Sequence, residues 1–319
     1  MKAVILDAYS LNPGDLDWEV FYKIKSDKAI DWEIFDRTLP TETLSRAKDA
    51  EVLFTNKVLL LRDTLEQLPN LKYIGVLATG YNVVDIEAAH KLGITVTNVP
   101  AYSTNSVAQL VFAHILNIVN QVDYYSKEVK VGRWSSCQDF TFRDTSQIEL
   151  ANLTIGIMGL GKIGMKVAEL SKVFGMKIIA FTSKDSLPDG IEKVSKSDLF
   201  RQSDILSLHV PLTNDTSNII NRDSLSLMKS SAILINTGRG GLVDENALAN
   251  ALNSDQLFAA GVDVLSTEPP SSDNPLLSAK NCYITPHLAW ATISARKRLM
   301  QIAAENLQAF FDKKTLNQV

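Results

Sequence analysis

Three glycines follow a short apolar run near the middle of the chain, in the stretch TIGIMGLGKIGMKVAEL. Gly159, Gly161 and Gly164 have the spacing G-x-G-x-x-G between a predicted strand and a predicted helix. The first glycine permits a tight turn, the second lets the backbone approach a pyrophosphate, and the third lets the helix pack on the sheet. The amides and the dipole of that helix then face the anion. This context predicts a strand, turn and helix that bind a dinucleotide.

Short strand-like and helix-like stretches alternate on both sides of this motif. Before it, five apolar runs from KAVILDA to ITVTNV predict strands; from TIGIMGL to CYITPHL, six more do so. Such alternation is typical of parallel sheets with helices on their faces. We therefore predict an α/β chain with two doubly wound parallel-sheet domains, one flavodoxin-like and one Rossmann, with a cleft between them.

The domain boundaries follow from a long helical pattern and from the tail. The pattern begins at Ser103 and predicts one amphipathic helix that ends near Gly132, with a polar loop after it. The tail from about Trp290 is helical and too short for a third domain, so we expect it to pack on the first one. The predicted domains are residues 1–102 with 290–319 for the substrate, and residues 103–289 for the dinucleotide.

Composition argues against several classes of function. A formal charge of −4 over 319 residues gives no basic field for nucleic acid or for an acidic membrane. The apolar run at the N-terminus is too short for a signal peptide, and the most apolar helix is too short to span a bilayer. Cys137 and Cys282 are far apart, which fits a reducing cytoplasm, and no side-chain cluster suggests a metal site. We expect a cytoplasmic protein without a metal.

The strand after the glycine motif ends in Thr182, Ser183 and Lys184. An acidic residue at such a strand end commonly binds the ribose hydroxyls of the adenosine. Because that acid is missing here, a 2′-phosphate would meet no repulsion, and Ser183 and Lys184 could donate hydrogen bonds to it. We therefore predict NADP(H) or the use of both cofactors. An exposed turn lysine beside bound NAD(H) stays open as the alternative.

Three reactive side chains follow later strands: Arg239 after ILINTG, Glu268 in DVLSTEPP and His287 in ITPHLAW. Ligands bind at the carboxyl ends of strands in open α/β sheets. With the glycine motif upstream, this order closely resembles the D-isomer-specific 2-hydroxyacid dehydrogenase family. The resemblance covers nearly the whole chain and includes IGVLATGYNVVDIEAA and STNSVAQLV in the first half.

The resemblance implies a role for each of the three. Arg239 resembles the arginine that holds the carboxylate and carbonyl oxygen of a 2-oxo acid, as a permanently charged guanidinium can. His287 resembles the acid-base residue that gives a proton to the carbonyl oxygen as hydride arrives. Glu268 resembles its partner, which orients the imidazole and favours its protonated form. Taken singly, the three also fit a surface arginine, a solvated turn acid and a packed histidine.

The same resemblance implies further contacts. Backbone amides around Thr79 and Gly80 would receive the substrate carboxylate, although an ordinary turn also fits. Thr104 would touch the cofactor, although a plain N-cap fits equally well. His114 is expected to pack on its helix face. The other implied cofactor positions are Lys162, Ile163, His209, Pro211, Thr237, Gly238 and Asp263.

Two segments bear on the substrate and on assembly. GRWSSCQDFTF and HLAWAT look most like the glycerate dehydrogenase branch of the family, also called hydroxypyruvate reductases. Trp290 would narrow the pocket towards hydroxypyruvate or glyoxylate, or would simply pack. Trp134 and Phe140 suggest burial between subunits, and the family suggests a homodimer.

We therefore expect an NAD(P)-dependent reductase of small 2-oxo acids. One alternative is a relative that acts on D-lactate, a sugar acid, 3-phosphoglycerate or phosphite. The other is a non-catalytic, dinucleotide-sensing protein of the corepressor type, which uses the same fold.

Overall fold

The computed structural model describes all 319 residues and separates into two compact units. Unit 1 comprises Met1–Ser103 and Ala291–Val319, and unit 2 comprises Thr104–Trp290. Each unit is built on one parallel sheet, and most connections between its strands contain a helix. The predicted α/β class with two doubly wound sheets is confirmed.

Unit 1 contains a five-stranded sheet in the order β2-β1-β3-β4-β5, which is the flavodoxin-like order. All of its strand pairs are parallel. The strands are β1 (Lys2–Ile5), β2 (Asp31–Ile34), β3 (Val52–Thr55), β4 (Tyr73–Val76) and β5 (Thr95–Thr97). The helices between them are α1 (Glu19–Tyr22), α2 (Thr43–Ala47), α3 (Arg62–Leu65) and α4 (Ile86–Lys91).

Unit 2 begins with two helices, and a seven-stranded parallel sheet with four further helices follows them. The helices are α5 (Thr104–Asn120), α6 (Val122–Lys130), α7 (Lys162–Val173), α8 (Lys196–Gln202), α9 (Arg222–Leu227) and α10 (Glu245–Asn253). The strands are β6 (Thr154–Met158), β7 (Lys177–Phe181), β8 (Ile191–Lys193), β9 (Ile205–Leu208), β10 (Ile233–Asn236), β11 (Ala259–Val262) and β12 (Cys282–Ile284). Their order is β12-β11-β10-β9-β6-β7-β8, so the winding direction reverses between β6 and β9.

The structure corrects the sequence prediction for unit 2 at two places. The sheet has a seventh strand, β8, which is only three residues long and leaves Glu192 and Lys193 exposed, so it shows no apolar run. The expected single helix from Ser103 to Gly132 is wrong, because Gln121 adopts a left-handed conformation with φ of 48° and separates α5 from α6. α5 buries one face, whereas α6 buries no residue, so the chain turns where packing against the sheet ends.

The last helix, α11 (Ile293–Phe311), returns the chain to unit 1. Its Arg296 donates hydrogen bonds to both carboxylate oxygens of Asp15, at 2.7 and 2.6 Å, and to the carbonyl oxygen of Leu11 at 2.9 Å. Near its end, the ring of Phe310 lies 5.1 Å from that of Tyr73 in β4. These contacts attach the tail to unit 1.

The turn between β6 and α7 depends on contacts that a side chain would block. Gly159 has a φ of +95°, and a Cβ atom there would lie 2.7 Å from the carbonyl oxygen of His209. A Cβ atom on Gly164 would overlap the carbonyl oxygen of Gly159. At Gly161 a Cβ atom would meet no atom within 4 Å. The first and third glycines are therefore needed for packing, whereas the second leaves open space above the turn.

We expect Gly164→Ala to lower the free energy of unfolding by about 1–3 kcal/mol, because the new methyl group overlaps backbone that cannot move cheaply. Helix propensity alone would favour alanine by about 1 kcal/mol. A net decrease in the free energy of unfolding would therefore result from the steric overlap of the methyl group. Gly161→Ala is the matched control and should change the stability by less than about 0.5 kcal/mol. Urea denaturation measures both, and equal stabilities for the two variants would contradict the packing role of Gly164.

Candidate active site

The residues predicted for chemistry in unit 2 lie where its parallel strands end. The glycine turn follows β6, and Thr182 follows β7. Strands β9, β10, β11 and β12 are followed by His209, Thr237 to Arg239, Asp263 and His287, respectively. In a parallel sheet these carboxyl ends share one edge, which is the ligand-binding edge of doubly wound folds.

Helix α7 begins at this edge without a side-chain cap. Gly161 is its N-cap residue and supplies no side-chain hydrogen bond, so the amides of the first turn depend on another acceptor. Gly161 and Lys162 are exposed, Ile163 is half-buried, and Gly164 is buried. An uncapped helix start beside the open space at Gly161 fits a pyrophosphate.

His209 supports the glycine turn from the neighbouring strand. Its backbone N–H donates to the carbonyl oxygen of Met158 at 2.7 Å, and its ring Nε2 lies 2.8 Å from Ser207 Oγ. Burial lowers the pKa of His209 to about 4, so the imidazole is neutral at physiological pH. His209 therefore shapes the edge without adding charge, and Ser207 is a supporting residue that the sequence did not single out.

The loop after β10 is fixed by one buried side chain. Asn236 donates from Nδ2 to the carbonyl oxygen of Arg239 at 2.9 Å and accepts from the N–H of Gly238 at 3.1 Å. A Cβ atom on Gly240 would overlap the backbone of Leu265, so this loop packs directly on the loop after β11. Arg239 is exposed, and its guanidinium donates one hydrogen bond, to the carbonyl oxygen of Gly238 at 2.8 Å. Most of its donors thus remain free for an anion.

Thr237 in the same loop carries an unsatisfied polar atom. Its Oγ1 is the one buried side-chain oxygen or nitrogen without a hydrogen-bond partner, and the residue is 8% exposed. Buried polar atoms are nearly always hydrogen-bonded, so an orphan of this kind at a ligand-binding edge indicates a missing partner. Together with the uncapped start of α7, it fits a bound nicotinamide dinucleotide.

The structure brings His287 and Glu268 together. His287 Nδ1 lies 2.6 Å from Glu268 Oε2, and Glu268 Oε1 accepts from the N–H of Leu265 at 3.1 Å. The side chains are 30% and 35% exposed, so solvent and small molecules can reach the pair. The carboxylate fixes the proton on Nδ1 and leaves Nε2, which has no hydrogen bond within the protein, to exchange a proton with a ligand.

The backbone around His287 is held by Asp263. His287 has a left-handed conformation with φ of 54°, and its N–H donates to the carbonyl oxygen of Asp263 at 2.8 Å. The Asp263 carboxylate is 1% exposed. It accepts from Thr285 Oγ1 at 2.6 Å and from the N–H groups of Leu288 and Ala289, each at 2.8 Å. Asp263 was predicted as a cofactor contact; the structure places three protein donors on its carboxylate.

The end of β7 carries positive side chains. Ser183 and Lys184 are exposed, and the N–H of Lys184 donates to Thr182 Oγ1 at 3.3 Å. Lys193, at the end of the unpredicted strand β8, donates from Nζ to the carbonyl oxygen of Lys184 at 2.7 Å. It also lies 3.7 Å from the exposed carboxylate of Asp185. Lys193 thus joins Lys184 at this corner, and no pattern in the sequence marked it.

The predicted substrate amides lie in unit 1, after β4. Thr79 Oγ1 donates to the carbonyl oxygen of Val99 at 2.9 Å, and Asn98 Nδ2 donates to that of Thr79 at 2.7 Å. The N–H groups of Thr79 and Gly80 make no hydrogen bond within the protein. Asn98 therefore fixes a turn whose N–H groups are free to donate to a ligand, and it is another residue that sequence reasoning missed.

Thr104 is the first residue of α5, and Pro211 is exposed. No group of three or more histidine, cysteine or carboxylate side chains could hold a metal ion. None of the helices has the length and apolar character needed to cross a membrane.

Known proteins resemble this chain over its whole length. The NAD-binding domain of D-isomer-specific 2-hydroxyacid dehydrogenases matches residues 112–289. A hydroxypyruvate reductase of Blautia hydrogenotrophica is 42% identical, over 100% of this chain and 99% of its own. A glycerate dehydrogenase of Methylorubrum extorquens is 39% identical, over 100% of this chain and 98% of its own.

A solved structure of an acyclic imino acid reductase in complex with NADPH and D-Arg is 31% identical. It superposes with a TM-score of 0.87 over 100% of both chains. The chain therefore belongs to the D-isomer-specific 2-hydroxyacid dehydrogenases, NAD(P)-dependent enzymes that transfer hydride between a nicotinamide cofactor and a 2-oxo acid.

Proposed function

We propose that this protein reduces small 2-oxo acids, with hydroxypyruvate and glyoxylate as preferred substrates and D-glycerate and glycolate as products. The observation that carries the proposal is the 2.6 Å hydrogen bond between His287 and Glu268 at the strand edge that also carries Arg239 and the glycine turn. The names of the two relatives, hydroxypyruvate reductase and glycerate dehydrogenase, support the choice of substrate. The bulky Trp290 agrees with a small acid.

Arg239 is proposed to anchor the substrate. Its guanidinium is exposed, has no ion pair, and uses one donor on the carbonyl oxygen of Gly238. The remaining donors can form paired hydrogen bonds to the carboxylate and the carbonyl oxygen of a 2-oxo acid. The free N–H groups of Thr79 and Gly80 are proposed to bind a substrate carboxylate. Anchoring of this kind holds the carbonyl carbon in a fixed position for reaction.

His287 is proposed to act as the general acid, with Glu268 as its orienting partner. A bound nicotinamide would supply the hydride in reduction and would take it back in oxidation. As hydride adds to the carbonyl carbon, the proton on His287 Nε2 passes to the carbonyl oxygen, so the ketone or aldehyde becomes an alcohol. Glu268 keeps Nδ1 protonated throughout, and the neutral imidazole regains a proton from solvent. In oxidation, His287 takes the proton from the hydroxyl group.

The cofactor is proposed to be NADP(H), or either NAD(H) or NADP(H). Ser183 and Lys184 are exposed at the strand end where an acidic residue, if present, would repel a 2′-phosphate. The NADPH bound in the imino acid reductase also supports the use of NADP(H). The glycine turn would hold the pyrophosphate. Near the nicotinamide, the bound cofactor would give the buried Thr237 hydroxyl the hydrogen-bond partner that it lacks. The other residues proposed to line the cofactor are Thr104, Lys162, Ile163, Thr182, His209, Pro211, Gly238 and Asp263.

A cytoplasmic homodimer is the proposed form of the protein. The segment from α6 to residue 140 exposes several large apolar side chains, among them Phe140 at 89%. Trp134 donates from Nε1 to the carbonyl oxygen of Phe140 at 2.9 Å, which holds the two exposed rings in one loop. Exposed apolar side chains grouped in this way are typical of subunit interfaces.

A panel of 2-oxo acids tests substrate and cofactor together. Hydroxypyruvate, glyoxylate, pyruvate and longer 2-oxo acids are each offered with NADH and NADPH, and the loss of nicotinamide absorbance is followed. We expect the highest kcat/KM for hydroxypyruvate or glyoxylate, and NADPH to serve at least as well as NADH. A preference for NADH of about a hundredfold would contradict the proposed phosphate site. Tight cofactor binding without turnover of any acid would favour the sensor alternative.

Replacing the general acid should abolish most of the turnover. We expect His287→Gln to lower kcat by about 10²–10⁴-fold, because glutamine cannot supply the proton. Arg239→Gln should mainly raise KM for the 2-oxo acid, since the charged anchor is lost. His90→Gln is the control, because His90 is an exposed histidine of unit 1 that touches the C-terminal residue. Steady-state kinetics measures all three, and a full-rate His287→Gln enzyme would exclude the proposed chemistry.

Light scattering tests the assembly. We expect about twice the chain mass of 35.2 kDa, and a single-chain mass would contradict the dimer. Phe140→Glu should shift the protein towards monomer, because it places a charge in the proposed apolar interface. Val173→Glu is the matched control, since Val173 is 84% exposed on α7, outside this segment.

A further inference from the structure

We propose that helix α5 positions the acid-base histidine through two polar side chains, Ser106 and His114, which hold the chain on either side of His287. The inference rests on the proposed role of His287 and adds residues that do not touch substrate or cofactor. All the contacts that support it lie within unit 2.

The first attachment lies after His287, and the second lies before it. Ser106 Oγ donates to the carbonyl oxygen of Ala289 at 2.6 Å. His114 Nε2 lies 3.1 Å from Thr285 Oγ1. Ser106 and His114 are buried and eight residues apart, a spacing that places both on the same side of a helix. One rigid element therefore holds a five-residue stretch at both ends.

The direction of the hydrogen bonds is determined by Asp263. Thr285 Oγ1 donates its only proton to Asp263 Oδ1 at 2.6 Å. The hydroxyl oxygen must then accept from His114, so His114 carries its proton on Nε2. Burial lowers the pKa of His114, which favours a neutral ring and agrees with this single-donor role. The result is an ordered chain from His114 through Thr285 to the buried carboxylate.

Asp263 also forms hydrogen bonds with the backbone of the loop that contains His287. Its carboxylate accepts from the N–H groups of Leu288 and Ala289, and its carbonyl oxygen accepts from the N–H of His287, all at 2.8 Å. A change in the orientation of this carboxylate therefore moves the residues immediately after His287. Because the His287 backbone is left-handed, at a φ of 54°, its conformation depends on such surrounding bonds.

Gly261 in β11 makes room for His114. A Cβ atom on Gly261 would lie 2.8 Å from His114 Cβ and 3.0 Å from its Nδ1, closer than an unstrained contact. The absence of a side chain in the strand thus lets the imidazole reach Thr285. The close fit also limits the positions that the ring can adopt.

The consequence for the chemistry is geometric. The His287 imidazole must keep its 2.6 Å hydrogen bond to Glu268 while Nε2 points at the substrate. Small losses of alignment reduce proton transfer without preventing substrate binding, since binding rests on other residues. The helix should therefore influence kcat more than KM or cofactor affinity.

Variants of Thr285 and His114 test the proposal by kinetics. We expect Thr285→Val, which keeps the shape but removes the hydroxyl, to lower kcat about tenfold, with KM and the cofactor Kd changed less than about twofold. Thr285→Ser should restore most of the rate. His114→Leu should act in the same direction, and His114→Gln, which retains a donor, should recover it. Rates in Thr285→Val and His114→Leu within about twofold of the parent would overturn the proposal.

The second attachment has a matched control. Ser106→Ala should lower kcat, because the carbonyl group of Ala289 loses its donor. Ser171→Ala removes an equally buried hydroxyl, which donates to Val167 within α7 at 2.8 Å, and should leave kcat unchanged. Equal effects of these two substitutions would show a general loss of stability and would contradict positioning by α5.

A spectroscopic measurement separates this inference from the proposed function. The chain has four histidines, so the ring nitrogens of His287 can be assigned in a ¹⁵N-labelled protein by comparison with His287→Gln. We expect Thr285→Val and His114→Leu to shift the Nδ1 signal that reports the bond to Glu268. A shift in a protein that turns over no 2-oxo acid would keep the positioning role and reject the proposed function. Turnover that requires His287, with neither rate nor signal altered in the variants, would reject the positioning role alone.

Discussion

Every strand pair in the two sheets is parallel, so each connection must carry the chain back over a face of the sheet before the next strand begins. All carboxyl ends of a sheet therefore lie on one edge, and the following loops meet there. In unit 2 this brings an arginine after β10, a carboxylate after β11 and a histidine after β12 to the edge that also holds the glycine turn. Residues separated by about 130 positions can thus serve one reaction.

Asp263 shows how this edge tolerates a buried charge. A carboxylate that is 1% exposed loses its hydration, a cost that only hydrogen bonds or counter-charges can offset. Here three neutral donors replace the water, and all of them belong to residues 285–289. The charge consequently stabilises one conformation of that segment, because any other arrangement leaves the carboxylate unsatisfied. The hydrogen bonds that offset the lost hydration of Asp263 therefore also hold His287 in a defined position.

The sequence predicted the sheets well, because strands buried on both faces appear as continuous apolar runs, such as the ILI of β10. It did not reveal β8, an edge strand of three mostly exposed residues. It also joined α5 and α6, because the left-handed residue between them is Gln121 rather than glycine. The contact of His114 with Thr285 spans 171 residues, and a helical pattern that predicts packing carries no information about such a partner. Local patterns locate reactive residues, whereas the polar groups that orient them depend on tertiary structure.

Glycines determine how closely the loops at this edge approach one another. Gly159 lies against the backbone of His209, Gly164 against Gly159, Gly240 against Leu265, and Gly261 against His114. In each case a Cβ atom would push apart two elements whose separation sets the position of the glycine turn, of Arg239 or of His287. Such displacements are small, but hydrogen bonds near 2.6 Å and proton transfer tolerate little change in distance. The geometry of this edge therefore depends on its glycines as much as on the arginine, glutamate and histidine that it positions.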